Sequence, residues 1–264
     1  MADEDALVAR LRAAGCVYAE DEAAVLREAA GDDPARLAAL AERRVAGEPL
    51  ETVVGFVDFA GHRLQVVPGV FVPRARTATL AAAAAEVTAP GDVVVDLCCG
   101  VGAVGLVVAA DRPGVELHAA DLDPVAVECA RCNIAAVGGR AWCGDLFAAL
   151  PGSLRGRIDV VAANAPYVPT AAIAAMPPEA RDHEPHLALD GGPDGLDVAR
   201  RILADAPGWL RPGGHLLVET GETLAGALAD LFEAAGLVDV AVLHDDATNG
   251  TAVAGRTTVH RPPT

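Results

Sequence analysis

The sequence contains no lysine. All 20 of its cationic side chains are arginine, set against 37 acidic ones, and the formal net charge is −17 at pH 7. Because so acidic a surface repels the phosphate backbone of nucleic acids, we expect no stable nucleic-acid binding, although a local basic pocket is compatible with this charge.

The sequence also lacks a long apolar run and a basic leader. No apolar stretch approaches the ~20 residues of a membrane-spanning helix, and the chain begins with acidic residues rather than with the pattern of a secretory signal. We therefore expect a cytoplasmic protein without a membrane partner, whose six cysteines are reduced thiols. Cys129-x-x-Cys132 has no second pair at metal-ligand spacing, so no metal site is expected.

The pattern of apolar residues divides the 264 residues into three parts. Helical spacing over 1–48 predicts a small N-terminal helical domain, a candidate for substrate recognition. Residues 49–75 predict a β-hairpin connector. Helices and strands alternate over 76–264, which predicts an α/β domain with a doubly wound, mostly parallel sheet. Its last two strands, 238–244 and 251–259, are expected to pair antiparallel.

One tetrapeptide stands out because it follows an apolar strand pattern over 158–163. It reads Asn164-Ala165-Pro166-Tyr167, and open α/β sheets bind ligands at the carboxyl ends of their strands. The Asn164 side-chain oxygen and the Ala165 carbonyl can accept two hydrogen bonds from one planar NH₂ group, while Tyr167 packs against its carrier. Taken alone, the stretch is equally well explained as an ordinary strand-to-loop turn.

A glycine-rich turn suggests a cofactor site. Gly100, Gly102 and Gly105 lie between a predicted strand and helix, and Asp121 follows about 20 residues later. This spacing fits a dinucleotide fingerprint and by itself favours NAD. The same residues would also suit cofactors other than NAD. Glycines let the backbone approach any ligand closely, and a carboxylate accepts hydrogen bonds from the ribose of any adenosyl cofactor.

Two further acidic residues favour S-adenosylmethionine over NAD. Asp96, at the end of the first strand of the α/β part, suits the amino group of a methionine moiety and would repel a pyrophosphate. Asp145, after the third strand, is placed to accept a hydrogen bond from the adenine amino group. The predicted cofactor-binding residues are Asp96, Cys98, Cys99, Gly100, Val101, Gly102, Asp121, Leu122, Asp145, Leu146 and Asn164.

These motifs resemble those of the HemK-like protein-(glutamine-N5) methyltransferases, a family that modifies the GGQ glutamine of peptide chain release factors. The similarity runs from about Arg43 to Arg256 and is most specific in the tetrapeptide 164–167 and in the Glu-Pro…Gly-Gly-x-Asp-Gly-Leu loop, 184–196. The resemblance implies a class I S-adenosylmethionine-dependent methyltransferase fold with a seven-stranded sheet. It also implies methyl transfer to a glutamine side-chain amide, with a release factor as the partner.

The resemblance assigns roles to residues of this chain. The catalytic set it implies is Asn164, Ala165, Pro166 and Tyr167, and the substrate-binding set is Phe71, Pro73, Arg74, Tyr167 and Glu184. Phe71 is equally well explained as core packing.

The chain departs from the family pattern in three places. Ala165 replaces the first proline of Asn-Pro-Pro-Tyr, residues 75–78 lack both acids of Pro-Arg-Pro-Glu-Thr-Glu, and Cys98 stands where glycine is common.

Three alternative functions remain. A methyltransferase for nucleic-acid amino groups uses the same tetrapeptide, and the net charge speaks against it. An NAD-dependent oxidoreductase is weakened by the lack of an apparent catalytic His or Tyr-x-x-x-Lys. Ala165 and Cys98 would fit a protein that binds S-adenosylmethionine without catalysis.

Overall fold

The chain opens with a group of short helices. A computed structural model describes residues 2–177, 181 and 184–259. Helices α1 to α4 are Ala2–Ala13, Ala19–Ala30, Pro34–Val45 and Leu50–Val54. The Asp33 side chain accepts hydrogen bonds from two backbone amides at the start of α3, where proline occupies the first turn. Buried Leu11 and Leu26 belong to an apolar cluster formed by these helices.

A hairpin connects this helical group to the sheet. Its strands are β1, Phe56–Phe59, and β2, His62–Gln65, which pair antiparallel. Within the predicted hairpin connector 49–75, residues 50–54 instead form α4, which ends at Gly55 in the left-handed region.

Seven strands form the central sheet in the order β5-β4-β3-β6-β7-β9-β8. They are β3 Val93–Leu97, β4 Glu116–Asp121, β5 Arg140–Cys143, β6 Ile158–Ala163, β7 Leu210–Glu219, β8 Val238–Asp245 and β9 Gly250–Arg256. The first five pair in parallel, whereas β9 pairs antiparallel with β7 and β8. The predicted doubly wound, mostly parallel sheet and its antiparallel closing pair are confirmed.

Helices pack against both faces of the sheet and complete one apolar cluster on each face. They are α5 Thr77–Val87, α6 Ala103–Asp111, α7 Pro124–Ile134, α8 Asp197–Trp209 and α9 Ala225–Ala234. Successive residues of a strand face opposite sides, so Val94 and Val95 of β3 enter different apolar clusters. Burial on both faces explains why the central strands are continuous apolar runs.

The strand order places the ligand site. After β3 the chain adds β4 and β5 on one side and then returns to form β6 on the other side of β3. In register, Leu97 of β3 lies beside Ala163 of β6, so the segments after these two strands emerge side by side. Such a reversal opens a crevice at the carboxyl ends of the strands. None of the helices in the described part of the chain has the length and apolar character needed to cross a membrane.

Candidate active site

A cavity of about 210 Å³ opens at this point of reversal. Residues from the segment before α5, from the ends of β3 to β6 and from the loop after Tyr167 line it together. The predicted site residues in its lining are Phe71, Pro73, Arg74, Asp96, Cys98, Cys99, Gly100, Val101, Asp121, Leu122, Asp145, Leu146, Asn164, Ala165, Pro166, Tyr167 and Glu184. The fold thus gathers the two motifs, far apart in sequence, around one space.

Gly102 differs from the other predicted cofactor residues because it faces a helix. Its φ is +79°, and a Cβ atom here would lie 3.1 Å from the Ile134 side chain and 3.2 Å from Ala130 of α7. Glycine is needed here for the left-handed backbone and for the close approach of α7. The structure gives Gly102 a packing role, and a direct cofactor contact stays a prediction.

Asp96 is a buried acid at the end of β3. It is 1% exposed, and its Oδ2 accepts a 2.8 Å hydrogen bond from the Gly105 amide of α6. A Cβ at Gly105 would lie 3.2 Å from the Asp96 side chain, so glycine allows this contact. Burial raises the Asp96 pKa to about 8, and the neighbouring Asp121 charge adds to the effect. A cationic group in the cavity would interact with the ionised form of this carboxyl, which is the minor form near pH 7.

Asp121 holds the glycine-rich loop in place. Its two oxygens accept hydrogen bonds of 2.9 Å from the amides of Gly100 and Asp123. Burial nevertheless raises its pKa. Beside it, burial raises the pKa of the Cys98 thiol well above its usual range. Cys98 is therefore a neutral, compact side chain, in a left-handed conformation (φ +54°) that the common glycine adopts with less strain.

Arg201 is a cavity residue that the sequence analysis missed. It lies on α8, and its Nη2 donates a 2.5 Å hydrogen bond to Oδ2 of Asp145. The Asp145 carboxylate, predicted to accept from adenine, thus already has a cationic partner in the cavity lining. Arg201 looks like an exposed charge on an amphipathic helix in the sequence, and only the packing of α8 brings it to β5.

The tetrapeptide after β6 lines the same cavity. Asn164 donates from Nδ2 to Oγ1 of Thr77 at 3.4 Å, and Ala165 is buried. Tyr167 donates from its hydroxyl to Oε1 of Glu219 at 3.4 Å. Burial, assisted by the Glu219 charge, raises the Tyr167 pKa to about 12, so the phenol stays neutral near pH 7.

Glu219 and Arg76 form a second feature missed from the sequence. Glu219 ends β7 and is 2% exposed, and burial raises its pKa. Arg76 places Nε 3.5 Å from the same Oε1 atom and lies over the Tyr167 ring, 5.8 Å from its centre. Arg76 stands where the family pattern has an acid, and Glu219 is polar at a strand end. The sequence alone could therefore have singled out both residues, although not their contact with each other.

Arg74 and Glu184 connect two walls of the cavity. Arg74 donates from Nη2 to Oε1 of Glu184, and its guanidinium lies 5.5 Å from the centre of the Phe71 ring. The Glu184 side chain is buried. The two predicted substrate-binding residues therefore bind each other and join the segment before α5 to the loop that follows Tyr167. Among the described residues, no three His, Cys, Asp or Glu side chains are grouped as a metal site would require.

Known proteins similar to this chain agree with the motifs. The sequence profile of the Methyltransferase small domain matches residues 64–176. A release factor glutamine methyltransferase of Mycolicibacterium smegmatis is 41% identical over 220 residues, 81% of this chain and 77% of that protein. Six further relatives, 34% to 40% identical, bear the same name, so the match does not rest on a single protein.

Two other similarities widen this comparison. A 4-amino-L-phenylalanine/4-methylamino-L-phenylalanine methyltransferase of Streptomyces pristinaespiralis is 35% identical over 243 residues, 89% of this chain and 82% of that protein. A methyltransferase structure from Pyrococcus furiosus, 17% identical, superposes with a TM-score of 0.55 over 74% of this chain and 89% of that one, which shows the same fold. The resemblance drawn from the motifs is confirmed. The chain belongs to the release factor glutamine methyltransferase family.

Proposed function

We propose that this protein transfers a methyl group from S-adenosylmethionine to the side-chain amide nitrogen of a protein glutamine, the GGQ glutamine of a peptide chain release factor. The observation that supports this most is the position of Asn164 and Ala165. They leave β6 beside the glycine-rich loop that leaves β3, so two hydrogen-bond acceptors and the cofactor loop line one cavity. The names of the relatives agree with the proposal.

The cavity residues fit S-adenosylmethionine better than a dinucleotide. Asp96 is a buried acid that would hold an ammonium group, and Asp121, anchored by two backbone amides, would accept from ribose hydroxyls. Asp96, at the end of the first strand of the α/β part, would repel a pyrophosphate. When bound, S-adenosylmethionine supplies a methyl group activated by a positively charged sulfur.

The protein's part in the reaction is mainly to position the nitrogen. An amide nitrogen is a weak nucleophile because its lone pair is delocalised into the carbonyl, so orientation must supply much of the rate. Asn164 Oδ1 and the Ala165 carbonyl accept the two amide hydrogens, aim the nitrogen into the cavity and stabilise positive charge that develops on it. The methyl–sulfur bond breaks as the methyl–nitrogen bond forms, which leaves the neutral thioether S-adenosylhomocysteine, and the methylated nitrogen then loses one proton to water. The proposal therefore needs no Asp or Glu as a general base.

The aliphatic part of the glutamine lies between apolar and aromatic side chains. Tyr167, Pro166 and Phe71 line the cavity, and Tyr167 is held by its hydrogen bond to Glu219. The acidic net charge favours a protein over a nucleic acid as the macromolecular substrate. The cytoplasmic location predicted from the sequence belongs to the same proposal, as does a substrate-recognition role for the N-terminal helices.

A second candidate is methylation of an aromatic amine on a small amino acid. The relative from Streptomyces pristinaespiralis, which covers 89% of this chain, favours it. An aromatic amino group also carries two hydrogens, so Asn164 and Ala165 could hold it in the same way. The two candidate substrates differ only in the group that carries the NH₂, which is a glutamine side chain in one and an aromatic ring in the other.

Methyl-labelled S-adenosylmethionine distinguishes the candidates. The protein is incubated with a release factor, with the same factor carrying alanine at the GGQ glutamine, and with 4-amino-L-phenylalanine. The proposal predicts one labelled methyl per unaltered release factor and none on the other two. Label on the small amino acid alone would establish the second candidate. If no acceptor is labelled although cofactor binding is demonstrated in parallel, the result would favour a protein that binds S-adenosylmethionine without catalysis.

A further inference from the structure

One side chain joins the hairpin connector to the glycine-rich loop. Asn133, near the end of α7, accepts a 2.8 Å hydrogen bond from the Gln65 amide and donates a 3.0 Å bond from Nδ2 to the Gln65 carbonyl. The same Nδ2 donates at 2.9 Å to the carbonyl of Val101. An asparagine side chain has one acceptor oxygen and two N–H donors, and Asn133 uses all three to hold two distant segments together.

The orientation of the Asn133 amide is fixed by these partners. Rotating it by 180° would place its NH₂ group against the Gln65 N–H and its oxygen against the two carbonyls. The Gln65 carbonyl also accepts from the Cys129 thiol, one turn earlier on α7, at 3.2 Å. The end of β2 is therefore tied to α7 by two side chains, and Asn133 extends this tie to the loop.

The Val101 end of the connection belongs to the cofactor part of the cavity. Val101 lies in the cavity lining beside Gly100. In a continuous helix its carbonyl would accept from the amide four residues later, but that amide, of Gly105, donates to Asp96. Asn133 supplies the donor that Gly105 does not, so the position of the loop depends on a side chain from α7.

The Gln65 end leads directly to the substrate part of the cavity. Gln65 is the last residue of β2, and the following segment, 66–74, carries Phe71 and Arg74 of the cavity lining. The segment lies on the glycine-rich loop, since a Cβ atom on Gly100 would be 3.8 Å from the Phe71 carbonyl oxygen. Three of its side chains are buried in the same apolar cluster as the loop: Val66, Val70 and Val72. A displacement of the loop is therefore passed to this segment.

We propose that Asn133 is a positioning residue that couples the two parts of the cavity, so that the cofactor and the protein substrate bind cooperatively. When a bound cofactor holds the glycine-rich loop, Asn133 holds Gln65 and the segment after it in the position that faces the substrate. By linkage, each ligand must tighten the binding of the other by the same factor. This inference rests on the proposed function for the identity of its second ligand.

Equilibrium binding of a release factor measures the coupling. S-adenosylhomocysteine fills the cofactor site without reacting, and we expect it to tighten release-factor binding about tenfold in the unaltered protein. In Asn133→Ala, which removes all three hydrogen bonds, the effect should fall below about twofold. Asn133→Asp keeps the acceptor but sets a carboxylate against two carbonyls, and it should lose the coupling as well. An unaltered protein without coupling, or variants that keep it, would overturn the proposal.

Steady-state turnover separates positioning from chemistry. At saturating S-adenosylmethionine, Asn133→Ala should raise the release-factor KM about tenfold, by the lost coupling, whereas kcat should stay within about twofold because Asn164 and Ala165 are unchanged. A loss confined to kcat would contradict a role in coupling.

Two control variants on α7 distinguish coupling from a general loss of structure. Cys132→Ala changes the exposed neighbour of Asn133 and should leave the coupling unchanged. Val127→Ala removes buried volume from the same helix and should lower the midpoint of thermal unfolding while the coupling remains. If Val127→Ala lost the coupling as fully as Asn133→Ala does, helix stability would explain the effect and the assigned role would be wrong.

Hydrogen exchange read by mass spectrometry tests the connection without a protein substrate. In the unaltered protein, S-adenosylhomocysteine should slow exchange in peptides that cover 65–74. In Asn133→Ala, exchange in these peptides should be faster and should not respond to the ligand. Equal exchange in the two proteins would refute the connection. An unaltered protein that shows this protection and yet leaves release factors unmethylated would refute the proposed function alone.

Discussion

Cofactor affinity should depend steeply on pH because of Asp96. This carboxyl is buried, accepts one hydrogen bond from the Gly105 amide, and has its pKa raised to about 8 by burial. In the unliganded protein it is therefore mostly protonated at pH 7. Binding the ammonium group of S-adenosylmethionine requires the ionised form, so binding near neutral pH should release a proton from Asp96.

The magnitude follows from the ionised fraction. With a pKa of about 8, roughly 1% of Asp96 is ionised at pH 6 and roughly a quarter at pH 7.5. An apparent Kd is inversely proportional to the competent fraction. The ligand's own amino group stays mostly protonated over this range. We therefore expect affinity to rise about 20-fold from pH 6 to pH 7.5, with roughly 0.9 proton released at pH 7.

Calorimetric titration with S-adenosylmethionine measures both quantities. Titrations in two buffers of different ionisation enthalpy give the number of protons released, and a pH series gives the affinity. Asp96→Asn, which can still accept from Gly105, should bind more weakly and lose this pH dependence. Constant wild-type affinity between pH 6 and 7.5, or binding without proton release, would refute the assigned role of Asp96.

The same shift makes a prediction about stability. Because the native pKa of Asp96 lies above its unfolded value, its favourable contribution is complete below about pH 4 and is lost as pH rises toward 8. Asp96→Asn should therefore increase the free energy of unfolding at pH 7 by a few kcal/mol. Urea denaturation at pH 7 measures the free energy of unfolding of both proteins, and a variant less stable than the unaltered protein would contradict the predicted direction.

Three further predictions concern other parts of the chain. Asn164→Ala should lower kcat about a hundredfold to a thousandfold, far more than it weakens cofactor binding, and turnover near wild type would exclude the proposed geometry. Gly102→Ala places a Cβ against α7 at positive φ and should cost about 1–3 kcal/mol in urea unfolding; an unchanged midpoint would argue against the packing role. Arg44→Ala breaks a buried 2.6 Å ion pair with Glu22 and should cost about 3–5 kcal/mol, whereas Arg12→Ala, at an exposed pair, should cost less than about 1 kcal/mol. Similar losses of unfolding free energy in these two variants would show that burial does not determine how much an ion pair contributes to stability.

Local sequence patterns were sufficient to predict where three central residues of the cavity lie. Asp96, Asp121 and Asn164 each come directly after or at the end of an apolar run, and parallel strands bring such ends to one edge of the sheet. The fold class, and the placement of the glycine-rich loop and the tetrapeptide around one cavity, could therefore be predicted without knowing the exact strand order.

The partners of these residues could not be predicted in the same way. Arg201 reaches Asp145, and Glu219 reaches Tyr167, only after β6, β7 and α8 are placed in the sheet. No periodicity in the sequence encodes such contacts between distant segments. The contact between Arg74 and Glu184 likewise joins two segments that are far apart in the sequence.

Glycine and proline patterns also give incomplete information about strands. Pro212-Gly213-Gly214 is typical of a turn, yet it lies inside β7, which begins at Leu210. The pairing of β6 with β7 shifts register at this point, between Ile158 and Val160. A bulge accommodates a proline that cannot donate to the ladder, and local rules do not distinguish it from a turn.

The most direct test of the central claim is the mass of a purified release factor after incubation with this protein and S-adenosylmethionine, followed by fragmentation to locate the change. Our account predicts a gain of one methyl group, on the nitrogen of the GGQ glutamine, in a reaction that Asn164→Ala nearly abolishes. A release factor of unchanged mass, in the presence of demonstrated cofactor binding, would contradict the account, as would a methyl group located at any other residue.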